Sequence, residues 1–575
     1  MKKYIIIAAS LITLGLVSCE KMLNYPPTGA ILAEDALKTP EDAQKLLNSC
    51  YDVMANVFDG SYQNLAELMS NNLATPNGLD FKAVYNKETN FFTPTTNGVY
   101  ADLYYAIYRC NSLLENFDLI DGLSDADRSR MEAEARFIRA FCHWHVAKIW
   151  AQPYGYTSDN SHLGIVIRDK ASNEPLPRNT VAEVYNFIVS EMEVAASTLP
   201  SSNGNYATAS AAKAALAMIY FQMRDYSKAI QYSDEVINAN NFEQYSIDRF
   251  PTVSDYSIRL NLNASSNWNG ATLSIHGNGG LVTTFNNNSN DTVSSEVSVP
   301  LISGVTYQLI CDVPGGKASN ISFDVMNPGG EVVYSFNGSL INANKVLATF
   351  TAETGGIPAL TASNNKESIF KIVSFSNDVR TDDFIGNYNA SGVLPPNLTL
   401  WSDASFASSN EVEVPFVQLI NQNSADKRKD AWMATSGSQI TLTKFQSKVA
   451  FNIPLMYQTE MMLIRAEAIA YAQTGRLSEA IADINAIRSR AYSQDNSLSS
   501  NATAEQVKEA ARKEYRLETI GEGKWLDQFR RIAIESNTTL KIRTSPWNCP
   551  GMALQFPNNE FTSALFVGNP EGGCN

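Results

Sequence analysis

Across 575 residues there are four histidines, His143, His145, His162 and His276, and no basic excess: 44 Lys and Arg stand against 59 Asp and Glu, a formal charge of −15. Each shortage removes a class of function. Nucleic acid is gripped by clustered cations, so an acidic chain argues against it as a partner and equally against adhesion to anionic headgroups. His143 and His145, two apart, leave a helix on different faces, and Cys142 with His145 gives only two ligands, so no metal site is expected. No nucleophile elbow, phosphate loop or dinucleotide fingerprint occurs, and neither catalytic residues nor a cofactor are assigned. Beyond the N-terminus no apolar run is long enough to span a bilayer.

What is present begins with that N-terminus. Met1-Lys2-Lys3 is basic, Tyr4 to Val17 is a short apolar run, and Leu16-Val17-Ser18-Cys19 is a small-residue cleavage site ending in cysteine. This resembles a bacterial lipoprotein signal, so residues 1–18 are expected to be a signal peptide and Cys19 the lipidated residue, anchoring a soluble body to a membrane. Of the remaining cysteines, Cys549 and Cys574 lie in a loop-rich tail and are the first pair to test for a disulfide, whereas Cys50, Cys110 and Cys142 fall in helical patterns as small buried groups.

The body reads as mainly α. In Ser210–Asn240, Ala212, Leu216, Ile219 and Met223 recur at helical spacing, and after Arg224-Asp225 so do Tyr226, Ala229, Ile230, Ser233 and Ile237. Small residues at Ala212, Ala215 and Ala229 let the two helices approach closely, as in tetratricopeptide-like repeats. Glu460–Ala491 repeats the pattern with Ala466, Ala468, Gly475, Ala480, Ile481 and Ile484. One helical scaffold is therefore expected to join both halves of the chain. Thr39 and Thr180 mark helix starts, a single long helix is expected from Ala504 to Ile534, and Glu514, Glu518 and Glu522 are read with Arg512 and Arg516 as its salt-bridged surface. From about Val253 the pattern turns to alternation, as in Val305-Tyr307-Leu309, Ile321-Phe323-Val325 and Val332-Tyr334-Phe336. A small β-sandwich is expected over 253–362, inserted between helical parts at 19–252 and 363–575.

Without catalytic signatures, the informative residues are rings and amides in loops. Aromatic faces cover the C–H faces of sugars while Asn, Asp and Gln bond their hydroxyls. Asn72, Asp80, Phe91, Phe92, Tyr100, Trp401 and Trp432 are the candidate ligand contacts. A glycosidase remains open, because its two carboxylates are defined by spatial separation rather than by sequence spacing.

A family resemblance rests on Ala133-Glu134-Ala135-Arg136-Phe137-Ile138-Arg139-Ala140, Trp150 with Tyr154-Gly155, Glu367-Ser368-Ile369-Phe370, Arg465-Ala466-Glu467-Ala468, Ile484 to Ala491, Gly521-Glu522-Gly523-Lys524-Trp525-Leu526-Asp527 and Phe556-Pro557-Asn558-Asn559-Glu560. In this order they resemble the SusD/RagB outer-membrane nutrient-uptake lipoproteins. Tyr457 departs from the Arg often found there, and Gly164-Ile165-Val166-Ile167 lacks the usual proline. The resemblance implies a SusD-like helical fold and a non-catalytic lipoprotein on the outer membrane, facing the exterior. It also implies that oligosaccharide or polysaccharide is captured and delivered to a SusC-like, TonB-dependent outer-membrane transporter. The alternatives are a surface glycoside hydrolase and a repeat protein that binds peptide or protein cargo.

Overall fold

The computed structural model describes residues 37–75, 81–93, 96–242, 244, most of 253–352, 367–373, 398–403, 405, 414–436, 439–444, 453–537, 540–571 and 573–574. Cys19 and Asp80 lie outside them. The first half is helical, with α1 (Pro40–Val57), α2 (Ser61–Met69), α3 (Lys82–Asn86), α4 (Asn97–Glu115), α5 (Asp125–Trp150), α6 (Val181–Thr198), α7 (Ala209–Met223) and α8 (Tyr226–Asn238). Local chemistry sets the starts. Thr39 and Thr180 close capping boxes with Asp42 and Glu183, each side chain satisfying the other residue's backbone N–H. Arg224, at φ +66°, ends α7, and the Asp225 carboxylate accepts the Lys228 N–H to start α8.

After the strands come α9 (Phe416–Ile420), α10 (Arg428–Trp432), α11 (Gln458–Ala472), α12 (Leu477–Ala491), α13 (Ala504–Glu518) and α14 (Trp525–Glu535). Helix α8 packs along α11, and both halves of the chain contribute to one apolar core. Ala212, Ala215 and Ala229 are fully buried in it, so enlarging any of them would push helices apart at about 1–3 kcal/mol. Cys50, Cys110 and Cys142 are buried there as expected, and Cys549 is bonded to Cys574.

The expected single helix Ala504–Ile534 is two helices. Gly521 and Gly523 take φ of +78° and +72°, a region that costs other residues energy. A Cβ on Gly523 would lie 2.9 Å from the Gln63 Cα, so the chain turns where only glycine fits against α2.

The strand region has two four-stranded sheets. One runs β5 (Ser295–Ile302), β2 (Val253–Leu260), β7 (Lys317–Met326) and β8 (Val332–Ile341); the other runs β4 (Gly280–Asn286), β3 (Thr272–Gly277), β6 (Thr306–Asp312) and β9 (Lys345–Thr351). All their pairings are antiparallel, with Tyr256 opposite Val299 and Leu309 opposite Ala348. Alternate residues such as Ile258, Phe323 and Val325 from one sheet and Leu273, Ile275 and Leu309 from the other share a second apolar cluster, as a period of two requires. A short pairing of β1 (Leu73–Ala74) with β11 (Thr399–Leu400) ties the first helical part to the second, and β10 (Ser368–Ile372) pairs with β12 (Ile453–Tyr457) within the second.

Candidate functional site

Helix α4 carries Tyr100, Tyr104 and Tyr108 four residues apart, hence on one face. The loop after α5 and the segment 558–566 come over that face and leave a cavity of about 240 Å³, lined among others by Tyr104, Tyr108, Arg168, Lys170, Asn173 and Glu560. Its walls are braced from behind. The Tyr104 hydroxyl donates to the Val166 carbonyl at 2.8 Å, and Tyr100 donates to Glu560 Oε1 at 3.0 Å. The Arg168 guanidinium spans its own loop to the Glu174 and Ser172 carbonyls at 2.5 and 3.3 Å, while its backbone N–H donates to His143 Nε2 at 3.0 Å. That bond uses a neutral imidazole, and burial holds His143 down to about 3. Burial pushes the phenols of Tyr100 and Tyr104 above their ordinary range, so both stay hydrogen-bond donors.

A chain of rings runs outward from this wall. Tyr100 meets Phe556 at 5.9 Å, Phe556 meets Phe566 at 5.0 Å, Phe566 meets Phe561 at 5.6 Å, Phe561 meets Phe91 at 5.6 Å, and Phe91 meets Phe92 at 4.3 Å. Phe92 is 72% exposed. Of the expected ligand contacts, Phe91, Phe92 and Tyr100 do not line the cavity: Phe91 and Phe92 connect to its Phe566 wall through Phe561, and buried Tyr100 meets it through Glu560.

Asn72, Trp401 and Trp432 lie elsewhere, each already engaged. Buried Asn72 donates to Glu67 Oε2 at 2.7 Å and accepts from Arg516 Nε at 3.0 Å, while its backbone carbonyl takes the Trp401 N–H at 2.9 Å. Trp432 is 3% exposed beneath the Lys444 ammonium, 4.6 Å above its ring. The neighbouring carboxylates are structural too. Glu514 and Glu518, expected on a helix surface, are fully buried against Arg428 at 2.9 and 2.8 Å, with Arg488 and Arg490 on their other oxygens. Glu522, expected on the same surface, lies buried between α13 and α14 and accepts from Tyr457 at 2.8 Å and Lys444 at 2.6 Å. Among the described residues no three His, Cys, Asp or Glu side chains gather closely enough to hold a metal ion.

Tyr104, Tyr108, Arg168, Lys170, Asn173 and Glu560 were not singled out from sequence. The tyrosines had a signal, an aromatic every fourth residue on one helix. Glu560 stands in the Phe556–Glu560 stretch that carries the family resemblance, but nothing local marks it as a ligand contact, because it reaches the site from hundreds of residues away.

With this geometry in place, comparison with known proteins identifies the class. Residues 32–221 match the family SusD-like_3, "Starch-binding associating with outer membrane", and residues 432–549 match SusD_RagB, "SusD family". The chain belongs to the SusD/RagB family. SusD-like protein P25 of Formosa agariphila is 25% identical over 236 residues, 38% of this chain and 43% of that one; SusD-like protein P2 of the same organism is 28% identical over 246 residues, 41% and 46%. The chain thus spans less than half the length of the curated relatives it matches. A SusD superfamily protein from Bacteroides vulgatus superposes with a TM-score of 0.63 at 16% identity, covering 93% of this chain and 99% of that one. A SusD superfamily protein from Bacteroides thetaiotaomicron gives 0.61 at 17%, covering 92% and 100%. A SusD-like carbohydrate binding protein from Bacteroides vulgatus gives 0.56 at 16%, covering 86% and 84%. At these identities the structures establish a shared helical SusD fold.

Proposed function

We propose that this chain is a non-catalytic, cell-surface glycan-binding lipoprotein. It is held to the outer membrane through Cys19, faces the exterior, and delivers oligosaccharide to a SusC-like, TonB-dependent transporter. The helices form a tetratricopeptide-like scaffold at 19–252 and 363–575, and 253–362 is an inserted β-sandwich. The observation that carries the reading is the Tyr104–Tyr108 cavity, where ring faces stand beside amide, hydroxyl and charged groups, the combination that sugars require. Phe91 and Phe92 extend the apolar contact outward, and Asp80 is kept as a candidate contact. Asn72, Trp401 and Trp432 do not line this cavity and are read as scaffold residues.

Glu560 is the one carboxylate among the described lining residues, whereas glycoside hydrolysis by the usual route needs a pair. The test is retention on a panel of immobilised polysaccharides with reducing ends scored in parallel. Saturable retention without release is expected, and Tyr108→Ala should weaken it about tenfold, the loss of roughly one stacked ring. Release of reducing ends that depends on Glu560 would turn the reading to a hydrolase, and absence of retention across the panel would turn it to a protein-binding repeat.

A further inference from the structure

A second groove shares no lining residue with the Tyr104 cavity. It lies between the loop 200–208, the end of α8 and strand β10, and encloses about 540 Å³. Asn205, Tyr206, Asn241, Phe242, Ser368 and Lys371 are among its lining, and no Asp or Glu is among the described lining residues. That is unusual for a chain of charge −15. Lys371 is half-buried, with no described carboxylate at ion-pair distance, and burial without a counter-charge holds its ammonium below the ordinary lysine range. The Ser368 hydroxyl is buried and has no hydrogen-bond partner among the described residues. A half-buried cation without a counter-charge and a buried hydroxyl without a partner are both costly, and a ligand supplying an anion and a polar group would relieve both.

The groove is also held in shape. Asn203 Nδ2 donates to the Ala207 carbonyl at 3.0 Å, the Ala207 N–H donates to the Tyr51 hydroxyl at 3.0 Å, and that hydroxyl donates to Glu134 Oε2 at 2.7 Å. The Tyr206 ring rests 5.0 Å from Tyr51. A loop pinned to buried groups loses little freedom on binding.

We propose that this groove is a second saccharide site, selective for a sugar bearing an anionic substituent, either a uronic-acid carboxylate or a sulfate ester. Lys371 pairs with the anion, Asn205, Asn241 and Ser368 meet hydroxyls, and Tyr206 or Phe242 covers the ring face. The site does not depend on what the Tyr104 cavity binds.

The experiment is hydrogen exchange followed by mass spectrometry on the full chain, with tetragalacturonate, a sulfated galactan tetrasaccharide and a neutral galactan tetrasaccharide as probes. At least one anionic probe is expected to protect peptides covering 200–208 and 368–372, and which one does so identifies the anion. Lys371→Gln should raise the concentration needed about tenfold, Lys371→Arg should restore it, and Tyr108→Ala should leave it unchanged. Asn205→Ala, at an exposed position, is the second variant and should weaken protection about threefold. The proposal is overturned if neither anionic probe protects these peptides, if the neutral probe does so equally well, or if Lys371→Gln and Asn205→Ala both bind as the parent does.

Discussion

Two neighbourhoods of this chain hold similar residue types and do different work. Around Asn72, Trp401 and Trp432, amides, indoles and carboxylates are buried, and Asn72, Glu67, Glu514 and Glu518 have partners on their polar atoms. Three arginines, Arg428, Arg488 and Arg490, face three acids, Asp426, Glu514 and Glu518, so this network is formally neutral. Around the Tyr104 cavity, Tyr108 is 37% exposed, and Lys170, Asn173 and Glu560 border open space. Residue type nominates both places equally. What separates them is whether a side chain's hydrogen-bonding capacity is spent inside the protein or left facing a cavity.

The comparison breaks if the locked neighbourhood proves dispensable. Arg428→Ala should have the largest effect, because three buried carboxylates lose their shared counter-ion; a loss of about 3–5 kcal/mol is expected from chemical denaturation. A pH series gives the next largest effect. Glu67, enclosed beside Asn72, has its carboxyl raised to about 7, burial outweighing the N–H donors of Asn72 and Gly523. The folded state then holds a proton that the unfolded chain releases near its ordinary value, so stability from this group falls as pH rises from about 4.5 to about 7 and levels off above. The drop is on the order of 3 kcal/mol, and unfolding midpoints that rise across this window in the parent, relative to Glu67→Gln, would contradict it. Asn72→Ala comes third, at about 1–3 kcal/mol, since Glu67 and Arg516 each lose a buried partner. Its glycan affinity should stay within about twofold; a tenfold loss with an unchanged melting curve would return Asn72 to the ligand site.

Much of the helical body was legible in the chain, because it is written locally. Thr39 and Thr180 announce caps within four residues, and the alanines of α7 and α8 show the close approach directly. The break between α13 and α14 was missed: Gly521 and Gly523 sit inside an otherwise helical pattern, and the α2 backbone that forbids a Cβ there is remote in sequence. The cavity was hidden for the same reason, and none of the residues nominated as ligand contacts is among its described lining residues. Phe91 and Phe92 lie in a polar loop where binding rings are expected, but Asn72 and Trp432 carry the same signature and are consumed by Glu67, Arg516 and Lys444, partners that no spacing rule pairs with them. Burial of Glu514 and Glu518 was equally hidden, since Arg428 arrives from another helix.

The smallest effect gives the finest discrimination. Phe92 has its backbone N–H fixed by Asn90 Oδ1 at 2.9 Å, while its ring stands in solvent against Phe91. Little apolar surface is recovered on folding there, so Phe92→Ala should shift stability by less than about 0.5 kcal/mol. If the ring chain from Tyr100 outward is a sugar-contacting surface, the same change should weaken oligosaccharide binding about threefold to tenfold by titration calorimetry, with shorter sugars affected least because they do not reach beyond the cavity. Equal affinity for long and short sugars in parent and variant would confine the site to the Tyr104–Tyr108 cavity and leave Phe92 as an exposed ring without a role in capture.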